Sequence, residues 1–238
     1  GDVLMHTATA GSWPTSFAAP SPAQGLSQKE NCVVAVFEEY PEAYLARAKT
    51  TVDFAEMHEA DRLAVIYLRP LDLSVDEMLA EILGAVKRLG ATRVVIDSLS
   101  GFEIALAPTF RMDFRESLYR LVGALTASGV TVMMTAEVIE PFPGGQFTTE
   151  RVSFVTDDIL VQRLVEIHGH LRKVIAVVKM RGSEHATDFR AFDLTATGAV
   201  VSESLVGYHG ITSGTPTIEL DRGGGYPGLT SEGAKLLD

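Results

Sequence analysis

Three groups of residues in this chain have the types and spacing to do chemistry. Val94-Val-Ile-Asp97-Ser98 is an apolar run ending in an aspartate. Ligands of open α/β sheets bind beyond the carboxyl ends of the strands, and a carboxylate there suits Mg²⁺. Phe37-Glu38-Glu39 closes an earlier apolar run in the same way. Adjacent carboxylates at a strand tip can polarise an attacking water or hydroxyl. Lys179-Met-Arg181-Gly-Ser183-Glu-His185 closes a later run. Lys179 and Arg181, two apart, point the same way along a strand and suit a clamp on phosphate oxygens. Each group also has a plain structural reading: a turn aspartate, a solvated acidic loop, a surface pair of cations. Acidic groups at the tips of two strands favour one shared site.

The elements that must position these groups are legible. Asn31–Phe37, Leu63–Leu68, Arg93–Asp97 and Val130–Thr135 are near-continuous apolar runs, the pattern of parallel strands covered on both faces. Ser74 and Glu77 form a capping box ahead of Met78, Leu79, Ile82, Leu83, Val86 and Leu89 at helical spacing, and Gly90 stops that helix. Asp113 and Glu116 make a similar start before Phe114, Leu118, Leu121, Val122 and Leu125, with Gly129 as the stop. Strands alternating with helices predict an α/β fold with a mostly parallel sheet flanked by helices. After Ser153 the pattern becomes a C-terminal antiparallel β extension. Its runs are Leu160–Val165, Val174–Val178, Phe189–Leu194 and Ala199–Val201, with a turn at His168-Gly169. Val3-Leu4-Met5 is a short lead strand. Pro20 and Pro22 then predict a broken or short helix over Thr15–Gln28.

Phe37-Glu-Glu39, Val95-Ile-Asp-Ser-Leu-Ser100 and Val178-Lys-Met-Arg-Gly-Ser183 with His185 occur in an order and at spacings that resemble the KaiC family of RecA-like P-loop ATPases. The turn Gly169-His-Leu171 and Ser213-Gly-Thr-Pro-Thr217 are similar too. The resemblance runs from about Val3 to Thr217 and is closest to the second of the family's two ATPase domains. It implies a RecA-like domain over residues 1–214, followed by a flexible Gly- and Pro-containing tail over 215–238. It implies a hexameric ring with ATP and Mg²⁺ between neighbouring subunits, ATP hydrolysis, and serine/threonine autophosphorylation in clock regulation. By match, Glu38 and Glu39 are the catalytic carboxylates and Asp97 is the Walker B aspartate. Lys179, Met180, Arg181, Ser183 and His185 contact the adjacent subunit's nucleotide, and Lys173 stands at a basic nucleotide contact. Ser153 falls on the phosphorylated pair, but its neighbour is Phe154, so the threonine is missing.

The phosphate loop departs most. The motif G-x-x-x-x-G-K-[ST] needs glycines for backbone approach and a lysine for the β/γ-phosphates. The downstream register places Ala8-Thr-Ala-Gly-Ser-Trp-Pro-Thr15 there. Gly11, Ser12 and Thr15 remain as nucleotide contacts, Thr15 with Asp97 for Mg²⁺. Trp13 replaces a glycine and Pro14 the lysine, which predicts impaired turnover. Thr50 stands where the clock protein has a tryptophan near the nucleotide.

Composition bounds the alternatives. The chain has 238 residues, 46% hydrophobic, enough for one large domain or two small ones. A net charge of -11 argues against a constitutive nucleic-acid binder. A recombinase would need basic loops where Glu137–Gln146 is acidic and apolar, so that reading ranks below a KaiC-like ATPase and below a non-catalytic scaffold subunit. The single Cys32 excludes an internal disulfide and fits a reducing cytoplasm. No membrane span or signal peptide is expected. Because Gly1-Asp2 leads straight into a strand, the chain is expected to be a fragment or to lack its usual lead-in. His168 and His170 flank a turn glycine and predict a surface hairpin rather than a metal site, and Gly223-Gly-Gly225 is read as tail. Partners are expected to be like subunits or signalling proteins.

Overall fold

A computed structural model describes residues 1–9, 30–49, 54–68, 73–106, 114–138, 153–195, 198–213 and 216–218. Five strands carry the first half: β1 (Val3–Thr9), β2 (Cys32–Val36), β3 (Leu63–Tyr67), β4 (Arg93–Asp97) and β5 (Thr131–Val138). Helices α1 (Pro41–Ala48), α2 (Ala55–Glu59), α3 (Val75–Leu89), α4 (Leu99–Ala105) and α5 (Phe114–Ala127) lie between them. The second half is β6 (Asp158–Ile167), β7 (His170–Lys179), β8 (Arg190–Thr195) and β9 (Gly198–Ser204), then a two-stranded ribbon of β10 (Tyr208–His209) and β11 (Thr217–Ile218).

The nine longer strands form one sheet in the order β3-β2-β4-β5-β1-β6-β7-β8-β9. It is parallel from β3 through β6 and antiparallel from β6 to β9. The expected antiparallel extension is therefore joined to the parallel sheet through β6, which pairs in parallel with β1.

Alternation along the strands explains the continuous apolar runs. Val33, Ala35, Val94, Ile96, Val132 and Met134 pack on one face with Met78 and Ile82 of α3 and Leu118 and Leu121 of α5. Cys32, Val34, Val36, Val95 and Met133 pack on the other with Tyr44 of α1 and Phe54. Both faces are covered, so neither can be polar.

Helix α3 begins and ends as its sequence predicts. Ser74 Oγ accepts from the Glu77 backbone N–H, the Glu77 carboxylate accepts from the Ser74 N–H, and Gly90 ends the helix at φ 60°. Residues His168 and Gly169 both have positive φ at the β6–β7 hairpin, the conformation of a two-residue hairpin turn.

Three sequence expectations shift. Strand β1 runs to Thr9, so Ala8 and Thr9, assigned to the start of the phosphate loop, lie in the sheet opposite Glu137 and Val138. Thr217 and Ile218, within the expected tail, pair with β10. Helix α1, with Pro41 in its first turn, was not foreseen. The expected broken helix over 15–28, and Gly11, Ser12 and Thr15, lie outside the described residues. Among the described residues, no helix is long and apolar enough to cross a membrane.

Candidate functional site

Strands β2 and β4 are neighbours, and Val36 pairs with Asp97 at their carboxyl ends. This brings the two acidic tips together. Asp97 is 8% exposed. Its Oδ1 accepts from the Thr135 hydroxyl of β5 at 2.7 Å. Burial pushes the Asp97 carboxyl up to about 6, against the Thr135 hydrogen bond and the charge of Arg47, while Glu39 and Glu38 push the same way as burial.

The adjacent glutamates have different fates. Glu38 is exposed, and its Oε1 accepts from the Ser98 hydroxyl at 3.3 Å. The same hydroxyl caps α4 by accepting from the Gly101 N–H at 3.2 Å. Gly101 is required there: a Cβ would sit 2.8 Å from Phe37 Cβ and 3.1 Å from Glu38 Oε1. The first turn of α4 can thus approach the acidic tip only because Gly101 has no side chain.

Glu39 is turned onto α1. Both of its carboxylate oxygens accept from Arg47, with Arg47 Nε to Oε2 at 3.4 Å and the second contact from Nη2. Side chains on a helix lean toward its N-terminus. Arg47 accordingly runs back over Tyr44, its guanidinium 5.3 Å from the ring centroid. Burial lowers the Arg47 pKa, but the hydrogen bond and charge of Glu39 outweigh it and the net shift is upward. Tyr44 is 1% exposed, and its hydroxyl has no hydrogen-bond partner among the described residues. Burial, then the charge of Asp97, drives its pKa upward.

The basic group expected on phosphate lies elsewhere. Lys179 is the last residue of β7 and pairs with Ile159, near the start of β6. From β4 to β7 the sheet crosses four strand steps, about 19 Å at the usual spacing. Lys179 Nζ donates to the carbonyls of Ser153 at 2.9 Å and Thr156 at 2.5 Å. Arg181 follows in a bend beyond the strand rather than on it, and its Nη1 donates to Asp157 Oδ1 at 3.3 Å. Met180 and His185 are half-buried and Ser183 is exposed. Lys173 sits mid-strand opposite Leu164, about 20 Å along β7 from Lys179. Ser153, held through its carbonyl, is half-buried beside the exposed Phe154. The strand tips and the Lys179–His185 segment are therefore two separate places on the molecule.

This chain matches the family described as "ATPase: KaiC" over residues 7–206. It belongs to the KaiC family of ATPases. The circadian clock protein KaiC3 of Synechocystis sp. is 30% identical over 193 residues, which is 81% of this chain and 38% of that protein. The circadian clock oscillator protein KaiC of Thermostichus vulcanus is 28% identical over 217 residues, 90% of this chain and 41% of that protein. The chain thus spans about two-fifths of the length of these relatives. A crystal structure of a KaiC-like protein from Pyrococcus horikoshii OT3 superposes with a TM-score of 0.75 at 25% identity, covering 85% of this chain and 89% of that one. The RecA-like sheet expected from the sequence is shared with that KaiC-like fold.

The residues present fit the Mg²⁺-nucleotide that a KaiC-family ATPase implies. Among the described residues, no cluster of three or more His, Cys, Asp or Glu could cage a metal by itself. Mg²⁺ at nucleotide sites needs no such cage, because one or two carboxylates plus phosphates and water complete it. A buried aspartate whose carboxyl is pushed up to about 6 is a group that a cation would stabilise.

Sequence reading missed Thr135, Ser98, Gly101 and Arg47. Thr135 is the polar residue at the end of an apolar run, level with Asp97, and Ser98 with Gly101 has the spacing of a helix cap. Those two signals were available. Arg47 had none, since a contact over eight residues is not a helix-surface spacing.

Proposed function

We propose that this chain is a KaiC-family nucleotide-binding domain that binds ATP with Mg²⁺ at the tips of β2 and β4 and lends a basic clamp to a neighbouring subunit. Asp97 holds Mg²⁺ together with Thr15 of the loop. Glu38, oriented by Ser98, and Glu39 act on the attacking water or hydroxyl. Bound Mg²⁺ supplies charge neutralisation at the phosphates. Lys179, Met180, Arg181, Ser183 and His185 serve the nucleotide of the adjacent subunit in a hexameric ring, and Lys173, far from them along β7, is not part of that clamp. Turnover at the chain's own site is impaired, because Pro14 and Trp13 replace the loop lysine and a glycine. The role is regulatory, in a clock-like or signalling assembly in the cytoplasm, and Ser153 is a phosphate acceptor without the threonine partner.

The observation that carries this reading is the separation of the two places. A cationic segment four strands from the acidic tips cannot clamp the same phosphates, so it supports service in trans. The test is co-assembly with an intact family member, followed by an ATPase assay of the mixed ring. A trans-acting arginine is worth about 10³–10⁵ in rate, so Lys179→Ala with Arg181→Ala should strongly depress mixed-ring turnover. Equal rates with and without the double substitution, or no mixed ring, would leave only the scaffold reading, a non-catalytic subunit.

A further inference from the structure

At the strand tips the charges of Glu39 and Glu38 both act on Asp97, and such a place repels a triphosphate. Among the described residues, Arg47 is a cation whose charge acts on Asp97. It is anchored on a helix rather than on a loop, and its guanidinium carbon lies over the Tyr44 ring. Its guanidinium is held in fork geometry by the two oxygens of Glu39. A carboxylate seated this way presents the same pair of anionic oxygens as a phosphate, and guanidinium binds either bidentately. The expected lysine is absent from the sequence, with Pro14 at its position.

We propose that Arg47 is the phosphate-binding cation of this site. On binding of a nucleoside triphosphate, its guanidinium exchanges from Glu39 onto the terminal phosphate. The exchange frees the Glu39 carboxylate beside the same phosphate. Glu39 is thus an internal stand-in anion, and the site selects for a ligand carrying a terminal phosphate over one that ends a phosphate earlier. This rests on the nucleotide-binding reading above. It adds that discrimination between triphosphate and diphosphate resides on α1, not in the loop.

The experiment is a calorimetric titration of the whole chain with a non-hydrolysable ATP analogue and with ADP, each with Mg²⁺. Wild type is compared with Arg47→Ala, Arg47→Lys and Glu39→Gln, all checked by circular dichroism. The wild type should prefer the triphosphate analogue by about tenfold, the factor that one charge-assisted contact supplies. Arg47→Ala should bring the two affinities within about twofold of each other by weakening only the triphosphate. Arg47→Lys should keep part of the preference. Glu39→Gln should tighten the triphosphate severalfold, because the stand-in no longer competes. If the wild type binds neither ligand, the nucleotide reading fails and the Arg47 assignment with it. If the wild type binds both and Arg47→Ala keeps its preference, or Glu39→Gln gains nothing, the Arg47 assignment alone is overturned. The Glu39→Gln arm decides even if Arg47→Ala does not fold.

Discussion

Asp97 carries the clearest residue-scale consequence. Its folded pKa is raised from 3.8 to about 6 by burial. The fold therefore prefers the neutral acid. The stability this contributes is complete below about 3.8 and is lost as pH rises through about 6. At pH 7.5 the ionised group costs about 3 kcal/mol, which Mg²⁺ binding would offset. Asp97→Asn is expected to raise the urea midpoint at pH 7.5 in the presence of a chelator, and the gain should close by pH 4. A variant no more stable than wild type at pH 7.5 would refute the burial argument. Gly101 gives the opposite expectation. Phe37 is fully buried and cannot retreat from a Cβ at 2.8 Å. Gly101→Ala should cost about 1–3 kcal/mol at unchanged m-value in a denaturant melt, with Glu38 displaced from Ser98.

Among the elements, legibility followed locality. Strand β4 and helix α3 were readable because apolar runs, a capping box and a terminal glycine all lie within a few residues of one another. Helix α1 is short, with Pro41 and Glu42 opening it right after the acidic pair, and so its sequence carries little helical signal. The Glu39–Arg47 contact depends on how that helix leans, which no spacing encodes. The position of Lys179 depends on β6 pairing with β1 across more than 150 residues of chain. A similar non-local device secures the C-terminal end. Arg163 of β6, 2% exposed, donates through Nη1 to the carbonyls of Ile211 and Thr212. Ile211 packs there with Val165, Ile167 and Val174. Burial lowers the pKa of Arg163, so its hydrogen bonds must hold it in place. Arg163→Leu leaves those two carbonyls without their donor. Hydrogen exchange should then speed up over 208–213 while β1 to β5 stay protected. Unchanged exchange at Ile211–Ser213 would show that apolar packing alone secures the ribbon.

On the scale of the whole molecule, the proposed function joins a KaiC-family scaffold to a sequence without the phosphate-loop lysine. The sheet, the acidic tips and the Lys179–His185 segment keep their family order, and the family match runs through them from residue 7 to residue 206. On the proposed assignment of the phosphate loop to Ala8–Thr15, the departure from the motif is greatest there, and P-loop catalysis is positioning and charge neutralisation with little covalent work left to the protein. A preorganised positive or hydrogen-bonding group at the phosphates is worth about 10²–10³ in rate, and proline at position 14 also removes one backbone donor from the cradle. Arg47 can hold a terminal phosphate without restoring that cradle. ATP hydrolysis by the purified chain is therefore expected near background, with nucleotide binding lost on Mg²⁺ chelation. Trp13→Gly with Pro14→Lys should raise both affinity and turnover, and Glu38→Gln or Glu39→Gln in that background should abolish the gain in turnover alone. The titration and a phosphate-release assay on the same preparations check this. Robust Mg²⁺-dependent hydrolysis by the unaltered chain, removed by Glu39→Gln, would mean that the strand tips and Arg47 suffice and that the loop lysine is dispensable on this scaffold.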